Sequence, residues 1–229
     1  MGNYEQVLSL LMEVVSGAGK AEKEPRSIPL GISNRHVHLS QADVETLFGA
    51  GYTLSKMRDL SQPGQYACNE TVTVCGPKGA IEKVRVLGPV RKQSQVEIMR
   101  GDCFKLGVKA PVRLSGELEG TPGVTLVGPK GSVYITCGLM VAQRHIHMTP
   151  DDALFFSVTD GEMVSIQFDG LRGGGYNQVA IRVSSDAALD CHIDVEEANA
   201  MDLTSASVVT IIKKSLGGNE HEIGSSWFG

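Results

Sequence analysis

No Cys-x-x-Cys pair occurs in this chain. Its five cysteines, Cys68, Cys75, Cys103, Cys137 and Cys191, are widely spaced and odd in number. That excludes a disulfide framework and a cysteine-ligated zinc module, and leads us to expect reduced thiols in a cytosolic-type compartment. Positive charge is also lacking: the formal net charge is -5 and the pI about 5.7. A general nucleic-acid or acidic-membrane surface would need a basic field, so neither partner is expected. No apolar run approaches the roughly 18 residues of a membrane span. The first residues carry Glu5 and Glu13 without a basic stretch, so no secretory signal is expected. Nucleotide fingerprints are missing too. GLRGGGYN lacks the strand, G-x-G-x-x-G, helix order, and GPKG lacks the rest of a P-loop.

What is present suits a soluble globular protein of one large or two small domains: 229 residues, 41% apolar and 21% charged. Residues 3–16 place Tyr4, Val7, Leu8, Leu11, Val14 and Val15 on one helical stripe, and the glycine- and charge-rich stretch 17–27 reads as a linker. Such a helix could dock on its own domain or act as a detachable peptide for a partner. From Ile28 onward the chain is strand-rich. VTVCGPKGAIEKVRV and VTLVGPKGSVYITC are near-copies of strand, GPKG turn, strand; MVSIQF, QVAIRVSS and ASVVTIIKK read as further strands. Helices are few and short, so the fold class is mainly β, barrel or sandwich.

The histidines are the main chemical signal. RHVHLSQAD at Arg35 recurs as RHIHMTPDD at Arg144, a shift of 109, whereas the GPKG pair is shifted by only 52. A simple tandem duplication would give one spacing, so the halves are interleaved or rearranged. A third partial copy is CHID at Cys191. In each place a histidine is followed by an apolar residue and then by a capping residue, Ser40, Thr149 or Asp194. A carboxylate comes three positions later, at Asp43, Asp152 or Glu197. That predicts three helix starts, with His38, His147 and His192 two residues before each cap. His36 and His145 precede their partners by two, on the same face of an ending strand. Imidazoles so placed can chelate one ion, and Zn(II) is the natural candidate. Arg35 and Arg144 adjoin the motifs, and Arg58, Lys83, Arg85, Arg91 and Lys92 lie between them. With a metal, these cations point to an anionic substrate such as a phosphate.

GISNRHVHLS, GPVRKQSQVEI, RHIHM and DCHIDVEEANA, in this order and spacing, resemble the phosphotransacylases of bacterial microcompartments over about residues 28–213. The resemblance implies two interlocked β-barrels, residues 24–34 with 143–213 and residues 35–142, flanked by a peptide and linker (1–23) and a tail (214–229). Interlocking would put both GPKG hairpins in one barrel and so reconcile the two spacings. It implies acyl transfer between coenzyme A and inorganic phosphate at two zinc ions per subunit. Glu97, His145, His147 and His192 would hold one zinc, and His36 and His38 the other, with open positions. Arg91 would grip phosphate; Ser33, Arg58, Arg85 and Asn199 would contact coenzyme A. Residues 3–16 would be an encapsulation peptide binding shell or cargo proteins, placing the enzyme in a microcompartment lumen within the cytoplasm, and a homo-oligomer is expected. Two rivals stand beside this reading: a zinc-dependent hydrolase of thioesters or amides, and a non-catalytic zinc-stabilised binding module.

Overall fold

A computed structural model describes residues 27–212. The stripe at residues 3–16, its linker and the C-terminal tail lie outside the described residues. Fifteen strands and four short helices are described, so the architecture is mainly β. The first half of the chain contributes β1 (Ile28–Ser33), β2 (His36–Ser40), α1 (Gln41–Phe48), β3 (Lys56–Asp59), β4 (Tyr66–Cys75), β5 (Ala80–Arg91), β6 (Gln95–Ile98) and α2 (Asp102–Leu106). Next come β7 (Val112–Arg113), β8 (Val124–Val127), β9 (Ser132–Ile135), β10 (Leu139–Ala142), β11 (His145–Met148) and α3 (Pro150–Phe156). The remainder is β12 (Met163–Phe168), β13 (Gly174–Val183), β14 (Asp190–Asp194), α4 (Val195–Ala200) and β15 (Val208–Ile212). No helix among the described residues is long and apolar enough to cross a membrane.

β1, β14, β11, β13, β12 and β15 close into a six-stranded barrel. Strands β2–β10 form a nine-stranded sheet that curls into a half-barrel and does not close. The interlock is visible in the pairing. β1 precedes β2 in sequence but lies parallel to β14 in the closed barrel. β10 precedes β11 but lies parallel to β6 in the other sheet. Each half thus lends one strand to its neighbour. The cores are otherwise matched: β2 runs parallel to β5 and antiparallel to β6, while β11 runs parallel to β13 and antiparallel to β14. The histidine-bearing strands therefore do not continue the runs before them. They are separate strands that begin at His36 and His145, just after the chain crosses between sheets, so the two histidine pairs open strands and do not end them.

Period-two alternation then sorts their side chains. Val37 and Leu39 enter the core of the open sheet; Ile146, Met148, Cys191 and Ile193 enter the core of the barrel. Each such burial stabilises by roughly 1.5–3 kcal/mol for a large apolar side chain. A one-residue slip would reverse every face, so the intervening histidines are committed to the opposite side. The three helix starts form as expected. Ser40, Thr149 and Asp194 accept from the backbone N–H of Asp43, Asp152 and Glu197. The capping box is reciprocal at Thr149 and Asp194, whereas the N–H of Ser40 donates to Ser94 Oγ (2.8 Å).

The GPKG turns have a structural purpose. The N–H of Lys78 donates to the Leu106 carbonyl at the end of α2, and that of Lys130 to the Leu47 carbonyl at the end of α1, both at 3.0 Å. These carbonyls have no partner within their helices, so each hairpin caps a helix. Hence the GPKG spacing of 52 marks a repeated capping device within one sheet and differs from the spacing of the duplicated halves. The close approach requires glycine: a Cβ on Gly128 would lie 2.5 Å from the Leu47 carbonyl oxygen, and one on Gly76 would collide with that of Leu106. We expect Gly76→Ala and Gly128→Ala each to lower the unfolding free energy by about 1–3 kcal/mol in urea titrations, without changing metal binding.

Candidate active site

The crossings of the chain between sheets, at Asn34–Arg35 and Gln143–Arg144, flank a cleft of about 630 Å³ lined from both halves. His36, His38 and Glu97 form one group on its wall, and His145, His147 and His192 form another; within each group the candidate ligand atoms lie within 4.8 Å of one another. Register explains both. His36 faces Glu97 across β2 and β6, and His145 faces His192 across β11 and β14. Glu97 thus stands with the histidines of the first motif, and its charge is also felt at His145 of the second, the group to which the resemblance assigns it. Its oxygen lies 3.3 Å from His36 Nε2.

The leading histidine of each pair is oriented in the same way. His36 Nδ1–H donates to the Asn34 carbonyl and His145 Nδ1–H to the Gln143 carbonyl, both at 2.8 Å. This fixes the tautomer and leaves Nε2 with its lone pair free. His145 Nε2 then stands 3.1 Å from His147 Nε2. His192 Nε2 is 2.9 Å from the buried Asp190 carboxylate, and its ring lies against Gly31 of β1. His38, only 3% exposed, has an Nδ1 with no hydrogen-bond partner.

Electrostatics keeps most of these rings neutral. Burial, reinforced by neighbouring charge, pushes His145 down to about 4 and His38 and His147 down to about 3. Burial also opposes charge on His36, but the adjacent Glu97 carboxylate outweighs it and raises the pKa. Burial would likewise raise Glu97; His36 and His38 outweigh it and hold the carboxyl well below the usual carboxylate range. Converging neutral imidazoles, an ionised carboxylate, an orphaned buried ring nitrogen and no thiolate suit a borderline divalent cation such as zinc.

Ser33, Arg58, Arg85 and Arg91 all line the cleft. Arg85 Nη1 is already held by the carbonyls of Cys68 (3.1 Å) and Asn69 (2.9 Å), and Arg91 Nη1 donates to Ser115 Oγ (2.9 Å). Asn199 is exposed on α4 and is not among the lining residues, so the structure does not bring it to the site. Arg35 and Arg144 are committed elsewhere. Arg35 makes a two-toothed pair with Asp102 (2.8 and 3.0 Å); Arg144 pairs with Glu197 (2.6 Å) and packs on the Tyr176 ring. They tie each crossing point to the helix after β6 or β14, and so act as structural ties, not as the anion contacts expected of them. Sequence reading missed Asp190, Ser61, Ser115 and Arg182, which line the cleft or support its residues. Strand pairing reveals two of them: Asp190 and Arg182 flank His147 on β14 and β13.

A cleft carrying two cation-competent groups and unpaired guanidinium donors is equipped for group transfer involving an anion, and comparison with known proteins places the chain among the transferases. The family profile for phosphate propanoyltransferase matches residues 29–204. A phosphate propanoyltransferase of Thermotoga maritima is 54% identical over 192 residues, covering 83% of this chain and 91% of its own. That of Salmonella typhimurium is 54% identical over 180 residues (78% and 85%), and that of Clostridioides difficile 50% over 207 (90% and 99%). The chain belongs to the phosphate propanoyltransferase family.

The packing of His192 on Gly31 gives a direct test of the second histidine group. A Cβ at Gly31 would stand 2.6 Å from His192 Cδ2 and 3.0 Å from Asp190 Oδ2. We expect Gly31→Ala to weaken zinc affinity about tenfold or more in competition with a chelator, while the urea midpoint moves little.

Proposed function

We propose that the chain interconverts acyl-CoA plus phosphate and acyl phosphate plus CoA, with propanoyl the acyl group as in the names of its relatives, at a site built for two zinc ions per subunit. One observation carries this reading: two chelating groups, His36–His38–Glu97 and His145–His147–His192, share one cleft with arginines free to bind an anion. Ser33, Arg58 and Arg85 lie on the cleft wall where the polyanionic coenzyme A would be held. Among the described residues the Arg58 side chain makes no hydrogen bond or ion pair, so its charge is open to a phosphate of the cofactor.

In the forward direction a phosphate oxygen attacks the thioester carbonyl carbon. The C–S bond then breaks, and the CoA thiolate leaves with the bonding pair. Arg91, held by Ser115 through one nitrogen, presents its remaining N–H groups to phosphate and fixes its approach. Zinc bound at the two groups would supply Lewis acidity toward the carbonyl oxygen and the departing sulfur. Gln95 bonds both Ser115 (2.8 Å) and Glu97, linking the phosphate-binding side to the first chelating group. No side-chain nucleophile is required. Cys191 is fully buried in the barrel core on the face opposite His192, and burial pushes its thiol far up, away from the reactive thiolate.

We further place the enzyme in a bacterial microcompartment, a reading supported by the amphipathic stripe at residues 3–16 and the linker that follows.

Incubating the zinc-loaded protein with propanoyl-CoA, with and without phosphate, tests the reaction. We expect thiol release to require phosphate and to match acyl phosphate formed, and His145→Ala to lose zinc and transfer together. Thiol release that is indifferent to phosphate would establish the hydrolase reading instead. Cys191→Ala should keep kcat within about threefold of wild type, as an inert buried cysteine allows; a zinc-replete but inactive variant would refute direct phosphate attack.

A further inference from the structure

We propose that Arg182 is a second phosphate-binding arginine, which with Arg91 grips the phosphate co-substrate beside the His145–His147–His192 group. The inference rests on the phosphotransacylase reading and names a residue that this reading does not use.

Arg182 lies on β13 directly opposite His147 of the parallel strand β11, so both side chains leave the sheet on the same face. It lines the cleft and is half-buried. Among the described residues its side chain makes no hydrogen bond or ion pair. Arg35, Arg144 and Arg85 have protein acceptors (Asp102, Glu197 and two carbonyls), whereas Arg58, the other arginine without one, is exposed on β3. Arg91 spends one nitrogen on the Ser115 hydroxyl and feels the Glu97 carboxylate without a direct ion pair to it. Arg182 is near enough to Arg91 that the two charges repel, and its charge is felt at His145 and His147 as well.

The acids nearby are otherwise occupied. Asp190, on the far side of His147, is taken by His192 Nε2 at 2.9 Å, and Glu97 sits against His36. Two partly buried cations without a direct ion-pair partner cost free energy. A dianion whose oxygens meet both guanidinium forks would remove that cost. The pair also breaks the likeness of the two halves. The position matching Arg182 opposite His38 is Leu87, so Arg182 supplies the cation at the second histidine group while the charge of Arg91 is felt at the first, and phosphate would be held between them.

Calorimetric titration of inorganic phosphate into the zinc-loaded protein, with zinc content measured in parallel, tests the pairing. Arg182→Gln should weaken phosphate binding about ten- to hundred-fold, as loss of a charge-assisted contact does. It should raise KM for phosphate comparably and leave coenzyme A binding and zinc content at the wild-type level. Arg182→Lys should recover part of the phosphate affinity and serves if the glutamine variant folds poorly. Unchanged phosphate affinity, or equal weakening toward phosphate and coenzyme A, would overturn the proposal. If phosphate binding depends on Arg182 but no acyl phosphate forms, the pair stands and the transferase reading falls.

Discussion

Strand register is the constraint on which everything else in this molecule depends. On β2, β11 and β14 the residues alternate between side chains that fill a core and side chains that face the cleft. Burial of Val37, Leu39, Ile146, Met148, Cys191 and Ile193 fixes that alternation, because a one-residue slip would carry imidazoles into apolar cores and expose the aliphatic groups. The hydrophobic effect, acting on residues with no chemistry of their own, thereby aims the residues that have it. Cross-strand pairing does the rest by setting Glu97 opposite His36 and His192 opposite His145.

The exchange of strands between halves places these groups in one cleft. β1 and β10 each complete the sheet of the other half, and the chain must cross immediately before His36 and His145. Both histidine pairs are consequently anchored at the junction. Equivalent devices hold each in place: a Nδ1–H bond to the carbonyl two residues back, and an arginine one residue earlier tied to an acid on the following helix. Conserved geometry across the two halves gives two similar chelating groups, while their differences make the groups chemically distinct. One contains a carboxylate; the other is all imidazole, with Arg182 beside it and Asp190 behind His192.

Burial and neighbouring charge act in the same direction at His38, His145 and His147, and against each other at His36 and Glu97. Depressed basicity at His38, His145 and His147 keeps electron pairs available at neutral pH, as a cation site needs, and Glu97 remains ionised despite its burial. The cysteines stay outside this chemistry: Cys191 belongs to the barrel core, and burial likewise raises the Cys68 thiol, to about 11.

Much of this was legible in the residues alone. The duplicated R-H-x-H motif, the capping residues after it, the GPKG hairpins and the mainly β composition are local patterns, and each dictates a local structure by sterics and hydrogen bonding within a few residues. The sequence determined, by itself, which imidazoles share a face and where three helices start. Tertiary structure alone decided which strand lies beside which, because pairing depends on long-range packing that no local spacing encodes. That pairing set Glu97 opposite His36, committed Arg35 and Arg144 to structural ties, left Asn199 outside the cleft and brought Arg182 to His147.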